Sequence, residues 1–254
     1  MCLIVWNWQP DSTTPLLLIG NRDEFYARPT QSLCWWRDDI LAGKDLQGGG
    51  TWLGVTKGGK FAALTNYRDP NQQRVNVPSR GKLVSNFLEH NHTLDSYLDY
   101  LLSVGDTYNP FNLILYDGIE LKGFESRHGK IVDIEPGVGG LSNADFNSPW
   151  PKVENLKNKL AYKDDRDSYS DLDLLELLRD SSIAPDNRLP KTGVTLERER
   201  ELSACFVKSS DYGTRCSSII RFKTRNISFI EQSYDSEGSS IRTAIEFERQ
   251  NSEY

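Results

Sequence analysis

The opening stretch constrains the fold most, because it contains two short apolar segments joined by a turn. Residues 3–8 read Leu-Ile-Val-Trp-Asn-Trp, and residues 16–20 read Leu-Leu-Leu-Ile-Gly. The connecting residues include Asp, Ser, Thr and Pro, which favour turns. We therefore predict a β-hairpin. This pairing would return the polar residues after Gly20 to the neighbourhood of Cys2.

Cys2 directly follows the initiator methionine, and a residue this small is compatible with removal of Met1. Removal would leave a thiol and a free α-amine on one residue. Because an α-amine titrates at about 8, part of it is neutral near pH 7 and can accept the thiol proton. Cys2 is therefore a candidate nucleophile that carries its own general base. The alternative is that Cys2 is an inert small residue.

Charged residues follow the second apolar segment, in the tetrapeptide Asn21-Arg22-Asp23-Glu24. If the hairpin forms, Arg22 lies near Cys2, where its positive charge would favour the thiolate. The Asp23 carboxylate could hold either the ammonium group of Cys2 or the arginine. The alternative is that this tetrapeptide is a solvated turn.

The composition excludes several classes of protein. The 254 residues carry a formal net charge of −6, which argues against nucleic acid as the main partner. No apolar run approaches the roughly 18 residues of a membrane span, and the N-terminal stretch lacks the form of a signal peptide. The four cysteines show no CxxC spacing that would predict a zinc or redox site. We expect a single cytoplasmic domain over residues 1–254.

The order of predicted elements indicates the fold class. The elements are hairpins over residues 32–42 and 55–64, two helices over 83–102, a three-stranded meander over 112–134, helices over 153–162 and 172–178, and a closing hairpin over 212–234. We predict a polar connector over 162–170 and an irregular segment over 184–200. Since strands and helices segregate into blocks, the pattern predicts α+β. Two antiparallel sheets between helical layers, a four-layer αββα sandwich, would accommodate it.

Several stretches together resemble one family. The Met-Cys strand, the Asn-Arg-Asp-Glu of residues 21–24, and the later GGTWLG, ALTNY, LSN and PWPK segments are similar to the NRDE family, also called the transport and Golgi organisation family. Eukaryotic members are connected with Golgi organisation, haem movement and lipid homeostasis. The resemblance therefore implies one possible function without turnover, as a carrier or chaperone of haem or lipid. Haem would then be cargo, and no cofactor is predicted.

A more remote resemblance concerns the N-terminal nucleophile hydrolases, and among them the choloylglycine hydrolase and penicillin V acylase group. These enzymes have the αββα sandwich and begin with Met-Cys. The resemblance implies that Cys2 is the nucleophile and that Arg22 and Asp23 are the charged pair, although the bile-salt enzymes separate these two residues. It further implies roles for Asn66 in Leu-Thr-Asn-Tyr and Asn143 in Leu-Ser-Asn-Ala. For the late arginine of these enzymes we choose Arg215 in Gly-Thr-Arg-Cys, with Arg221 as its rival.

These residues together predict hydrolysis of an amide, ester or thioester of a small acyl substrate. The Cys2 thiolate would attack the carbonyl carbon, and the Asn66 side chain with one backbone N–H would stabilise the oxyanion. The α-amine, held by Asn143 or Asp23, would pass the proton to the leaving group. Alternatively, the two asparagines cap turns and satisfy backbone groups.

Overall fold

The computed structural model describes residues 2–37, 39–161 and 169–250. Met1, whose removal we expect, lies outside these ranges, as do residues 162–168 of the predicted connector. Within them the strands are β1 (Cys2–Trp8), β2 (Leu16–Phe25), β3 (Thr30–Trp36), β4 (Ile40–Asp45), β5 (Leu53–Thr56), β6 (Phe61–Asn66), β7 (Phe111–Tyr116), β8 (Leu121–Glu125), β9 (Lys130–Asp133), β10 (Gly137–Leu141), β11 (Tyr212–Phe222), β12 (Asn226–Tyr234) and β13 (Ser240–Glu248).

Five α-helices accompany these strands in the described ranges. They are α1 (Gly81–Glu89), α2 (Leu94–Val104), α3 (Pro151–Ala161), α4 (Asp171–Leu178) and α5 (Leu196–Glu201), with short 3-10 turns at Pro70–Gln72, Gly105–Thr107 and Asp186–Arg188. Thr93 caps α2 by accepting a hydrogen bond from the backbone N–H of Ser96. None of the helices in these ranges combines the length and the apolar character that a membrane crossing requires.

The strands form two antiparallel sheets. The six-stranded sheet has the order β10-β1-β2-β11-β12-β13, and the seven-stranded sheet has the order β3-β4-β5-β6-β7-β8-β9. The predicted opening hairpin is confirmed, because β1 pairs with β2 from Trp8–Leu16 to Cys2–Arg22. Every residue of β1 is buried, which fits its position inside the sheet and its near-continuous apolar sequence.

The packing confirms the predicted αββα layers. One core lies between the sheets and contains side chains such as Trp6, Leu18, Phe61 and Phe229. A second core lies beneath α1 and α2 on the seven-stranded sheet. A third lies beneath α3 and α4 on the six-stranded sheet. The apolar spacing of α1, which buries Leu83, Val84, Phe87 and Leu88, produces the stripe that faces its sheet.

Strand β13 (Ser240–Glu248) extends the sheet beyond the predicted closing hairpin, and two further elements, β10 and α5, differ from the prediction. Strand β10 lies in a glycine-rich stretch with no strand signal, yet its glycines are needed there. A Cβ on Gly139 would come within 2.2 Å of the Trp6 ring, so close packing of the indole excludes any side chain. The segment over 184–200 is not wholly irregular, because Thr195 caps α5 and Glu199 of this helix is buried.

Candidate active site

Strand register brings Cys2, Arg22 and Cys216 into one row. Cys2 of β1 pairs with Arg22 of β2, and Arg22 pairs on its other side with Cys216 of β11. Directly paired residues of antiparallel strands point to the same face. Cys2 and Cys216 belong to the core between the sheets, so the row faces that core. The prediction that the hairpin returns Arg22 to Cys2 is confirmed.

A cavity of about 250 Å³ lies beside this row and is lined by both sheets. Cys2, Arg22, Arg215 and Glu231 belong to the lining from the six-stranded sheet, while Trp52 and Asn66 come from the other side. Cys2 is 6% exposed, so its thiol is reached from the cavity. Asp23 also lines the cavity, whereas Asn143 does not.

Burial controls the protonation of the Cys2 thiol. Desolvation raises the pKa of Cys2 to about 11, although the nearby positive charge of Arg22 acts in the opposite direction. The expected preference for thiolate is therefore outweighed by desolvation. At neutral pH the thiol is protonated, and a base has to remove its proton before it can attack a carbonyl.

Asp23 is the residue of β2 next beyond the Cys2–Arg22 pair, and it is fully buried. Its Oδ1 accepts a hydrogen bond of 2.8 Å from the Thr214 hydroxyl, and its backbone oxygen accepts one of 3.0 Å from the Tyr212 hydroxyl. Burial raises the pKa of Asp23, and the positive charge of Lys152 opposes this. Since the backbone nitrogen of Cys2 is at the start of β1, Asp23 lies at the strand end where that nitrogen is found.

The two asparagines hold different positions. Asn66 ends β6, is half-buried and lines the cavity. Asn143 is fully buried, and its Nδ2 donates a 2.8 Å hydrogen bond to the backbone oxygen of Asn66. The Ser142 hydroxyl lies 3.0 Å from the carbonyl oxygen of Cys2 and 3.2 Å from Asn143 Oδ1. Asn143 therefore supports the backbone around Cys2 and Asn66 from behind the cavity and does not enter it.

The two candidates for the late arginine, Arg215 and Arg221, lie in different parts of the structure. Arg215 lies at a register shift in β11 and lines the cavity. Its Nη1 donates hydrogen bonds to the carbonyl oxygens of Phe25, Tyr26 and Arg28, at 3.0, 3.2 and 3.0 Å. Arg221 instead pairs with Asp171 and donates to the backbone oxygen of Tyr169. Arg221 thus contacts the helical layer. Of the two candidates, Arg215 is the one that lines the cavity, and its hydrogen bonds also stabilise the turn after β2.

Arg80 is a cavity residue that the sequence analysis missed. It immediately precedes α1, and its Nη1 donates a 3.0 Å hydrogen bond to the backbone oxygen of Pro110. Burial lowers the pKa of Arg80 to about 10, and the charge of a Cys2 thiolate would raise it. Arg80 is therefore a further cation that lines the cavity beside Cys2. An arginine between turn residues and a helix carries no sequence signal for this role.

The mouth of the cavity carries further ion pairs. The Arg28 guanidinium lies 2.8 Å from Asp45 Oδ2, whereas the Arg22 guanidinium lies 3.9 Å from this oxygen and 3.8 Å from Glu24. Although burial acts to raise it, the hydrogen bond from Arg28 brings the pKa of Asp45 below its ordinary value. Arg28 and Asp45 thus form a close pair, and Arg22 has only long ion pairs.

A buried ion pair supports the strand end that carries Asn66. Arg68 Nη1 lies 2.8 Å from Glu199 Oε2, and the two side chains are 5% and 4% exposed. The Arg68 backbone N–H donates a 2.8 Å hydrogen bond to the backbone oxygen of Asn143. Through these contacts Arg68 connects α5 to the residues around the cavity.

Comparison with protein families places this architecture among known sequences. Residues 1–236 match the family model described as Transport and Golgi organisation 2. The Transport and Golgi organization protein 2 homolog of Bos taurus is 35% identical over 243 residues, covering 87% of this chain and 88% of the relative. The Homo sapiens homolog is 34% identical over 245 residues, with coverage of 87% and 88%. Transport and Golgi organization protein 2 of Drosophila melanogaster is 27% identical over 283 residues, with 99% of each chain covered.

Two solved structures share the fold. The Caenorhabditis elegans ortholog of N-acylethanolamine-hydrolyzing acid amidase superposes with a TM-score of 0.52 at 12% identity, covering 87% of this chain and 92% of the other. The C2A mutant of the conjugated bile acid hydrolase from Clostridium perfringens gives a TM-score of 0.51 at 10% identity, with coverage of 96% and 92%. At these identities the similarity concerns the fold alone, which is that of the N-terminal nucleophile hydrolases.

Proposed function

The chain belongs to the Transport and Golgi organisation 2 family, and on that premise, together with its fold, we propose that it hydrolyses an amide, ester or thioester bond with Cys2 as nucleophile. The observation that carries the proposal is the position of the Cys2 thiol: it opens β1, pairs with Arg22 and faces a cavity. A small acyl compound is the substrate class that such a cavity would hold.

The first half of the reaction forms an acyl-enzyme. After removal of Met1, the neutral α-amine of Cys2 takes the thiol proton, which the raised pKa of the thiol makes necessary. The sulfur forms a bond to the carbonyl carbon, and the π electrons move to the oxygen. When the oxyanion collapses, the bond to the leaving group breaks, and the ammonium returns its proton to that group. Arg22 and Arg80 stabilise the negative charge on sulfur during the transfer.

The second half regenerates the thiol. A water molecule gives one proton to the α-amine and adds its oxygen to the thioester carbonyl. The carbon–sulfur bond then breaks, the acid leaves, and the sulfur takes back the proton. Asp23, next to the Cys2–Arg22 pair, would hold the ammonium form of the amine in both halves. Asn143 would position Cys2 and Asn66 through the Ser142 hydroxyl and the Asn66 backbone.

Asn66 is the candidate donor to the oxyanion. In the described part of the chain its side-chain amide makes no hydrogen bond, and it lines the cavity. We expect Asn66→Ala to lower kcat by about 10²–10³-fold with a smaller change in KM, because the donor acts on charge that develops in the transition state. Steady-state kinetics would measure this. Asn158→Ala, at an exposed position of α3, is the matched control, and an equal loss in both variants would contradict the role.

The experiment that tests the function combines intact mass with trapping of the acyl-enzyme. Protein purified from its own host should begin at Cys2. Incubation with a panel of acyl amides, esters and thioesters, followed by an acid quench, should give a mass increase of one acyl group that maps to Cys2. The Cys34→Ser variant serves as background, because Cys34 is the one cysteine that is not buried. Retention of Met1, or an adduct on Cys205 or Cys216, would contradict the proposal.

A carrier of haem or lipid is the second candidate, since the same cavity could hold a ligand without turnover. The three histidines lie outside the cavity lining, so a haem iron there would need another ligand, such as the sulfur of Cys2 or Cys216 or the oxygen of Tyr234. Wild-type protein that is inert on the whole panel, yet binds haem or lipid at micromolar or tighter affinity, would favour the carrier over the hydrolase.

A further inference from the structure

Glu231 is a buried carboxyl for which the reaction above has no role. It lies on β12 two residues after Phe229 and four after Ile227, and the side chains of both belong to the core between the sheets. The Glu231 side chain faces the same way, is 4% exposed and lines the cavity. Placing a carboxylate at such a position is costly unless a hydrogen-bond donor meets it.

The two oxygens of Glu231 have different surroundings. Oε1 accepts hydrogen bonds from the backbone N–H of Leu33 at 2.8 Å and from the Ser233 hydroxyl at 3.2 Å. Among the residues described, no N–H or O–H group donates to Oε2, and the Cys216 thiol is the one further hydrogen-bond donor beside the carboxyl. Gly43 leaves space beside Oε2, because a Cβ there would approach it to 3.3 Å. Oε1 thus ties β3 to β12, while Oε2 remains available to a ligand.

Desolvation of the carboxyl is consistent with this arrangement. Burial raises the pKa of Glu231 above its ordinary value, despite the Leu33 hydrogen bond and the charge of Arg22. The hydrogen bonds from the protein therefore replace only part of the water that burial removes from the carboxylate. A hydrogen-bond donor on a ligand at Oε2 would stabilise the carboxylate further.

Strand order sets the distance between Glu231 and the nucleophile. Strands β1, β2, β11 and β12 are consecutive in the sheet, so Glu231 lies three strand spacings from Cys2. At about 4.8 Å per spacing the two strands are about 14 Å apart, and Glu231 is also offset along them, because it pairs with Ser218 and not with Cys216. Arg22 and Cys216 lie between them on the same face. Cys2 and Glu231 therefore line the same cavity from strands that are three spacings apart.

We propose that Glu231 determines specificity: Oε2 accepts a hydrogen bond from a hydroxyl or amide N–H on the part of the substrate remote from the bond that Cys2 attacks. The inference rests on the proposed function, and it narrows the substrate class to acyl compounds with an uncharged hydrogen-bond donor at their far end. A compound that lacks the donor leaves Oε2 unpaired on binding. Sites built to bind a hydroxyl or N–H group reject analogues without one for this reason.

Alkylation of Cys2 by a series of N-substituted chloroacetamides tests the proposal without requiring turnover. The Cys2 sulfur displaces chloride to form a thioether, and the thiol proton passes to the base. The tails are alkyl chains of graded length, up to about 14 Å to match the strand spacing, that end in hydroxyl, primary amide, methoxy or methyl. We expect hydroxyl and amide tails of one length to label Cys2 at least tenfold faster than their methyl counterparts.

Glu231→Gln should reverse part of this preference. Its carbonyl oxygen can still accept from Leu33, but its NH₂ group replaces Oε2 by a donor. Methoxy tails, which only accept, should then gain at least fivefold relative to the wild type, while methyl tails label at an unchanged rate. Glu248→Gln makes the same chemical change at an exposed position of β13 and should leave all rates as in the wild type.

Two results would overturn the inference. One is equal labelling by hydroxyl, methoxy and methyl tails at every length, and the other is an unchanged preference in Glu231→Gln. Thermal shifts with unreactive N-alkyl acetamides of the same tails give a second measurement in the Cys2→Ala variant, and equal shifts for all tails there would also overturn it. Selective labelling without acyl turnover would contradict the hydrolase function alone, whereas turnover without tail selectivity would contradict only the role of Glu231.

Discussion

Replacement of Cys2 by alanine is expected to lower acyl turnover by roughly a thousandfold or more, because the covalent step disappears with the thiol. The fold should survive the change. The side chain is small, and its removal should cost about 1 kcal/mol of unfolding free energy. Release of the acid from the best substrate of the panel measures the first effect, and urea denaturation measures the second.

The matched control for this variant is Cys216→Ala. Cys216 shares the face of Arg22 with Cys2 and is equally buried, but it lies within β11 and has no free amine. It should retain turnover within a few-fold of the wild type. Comparable activity of Cys2→Ala and the wild type would remove Cys2 as the nucleophile, whatever the substrate.

The second large effect is expected from Arg68→Met, which should lower the free energy of unfolding by about 3–5 kcal/mol. The variant leaves Glu199 buried without its ion-pair partner at 2.8 Å. Thr192 still donates to Oε1, but a buried carboxylate without a counter-charge is costly. Urea denaturation followed by circular dichroism measures the loss. The double variant Arg68→Met/Glu199→Met should recover much of it, because the unpaired charge is then gone.

Arg200→Met is the control for this variant, because Arg200 lies on α5, the helix that carries Glu199. Arg200 pairs with Asp186 at 2.6 Å, but their side chains are 46% and 52% exposed. Exposed pairs contribute about 0–1 kcal/mol, so this variant should be nearly as stable as the wild type. If Arg68→Met and Arg200→Met lowered the free energy of unfolding by the same small amount, burial would not make the Arg68–Glu199 pair stronger than an exposed one.

The fold was largely predictable because its main signals are local. The opening hairpin followed from two apolar segments and a turn, and α1 and α2 followed from apolar spacing and a capping threonine. The family resemblance then implied the αββα layers, which the sheets and helices confirm. Strand β10 escaped prediction because its glycines are required by the Trp6 ring, a contact between residues more than 130 positions apart in the chain.

From local pattern alone, the candidate site was predictable where it lies on adjacent strands, and the family resemblance added the more distant residues. Cys2, Arg22 and Asp23 come together because one hairpin carries all three. Asn66 and Arg215 also reach the cavity, but their catalytic roles stay predictions. Arg80 and Glu231 escaped notice because their positions depend on how the two sheets face each other. The one local sign of Glu231 was an ionisable residue at a position of β12 that, by the two-residue period of a strand, points into the core.

The place of the opening hairpin inside its sheet has a consequence for how the protein is made. Strands β1 and β2 can pair as soon as they are synthesised, but their outer edges pair with β10 and β11, from residues 137–141 and 212–222. A nascent chain thus presents two apolar strands with open edges until most of it has emerged. Such distant pairings make folding slow and expose the chain to aggregation. The strand that carries Cys2 therefore keeps an open edge until residues 137–141 have been synthesised, and its hairpin partner β2 keeps one until residues 212–222.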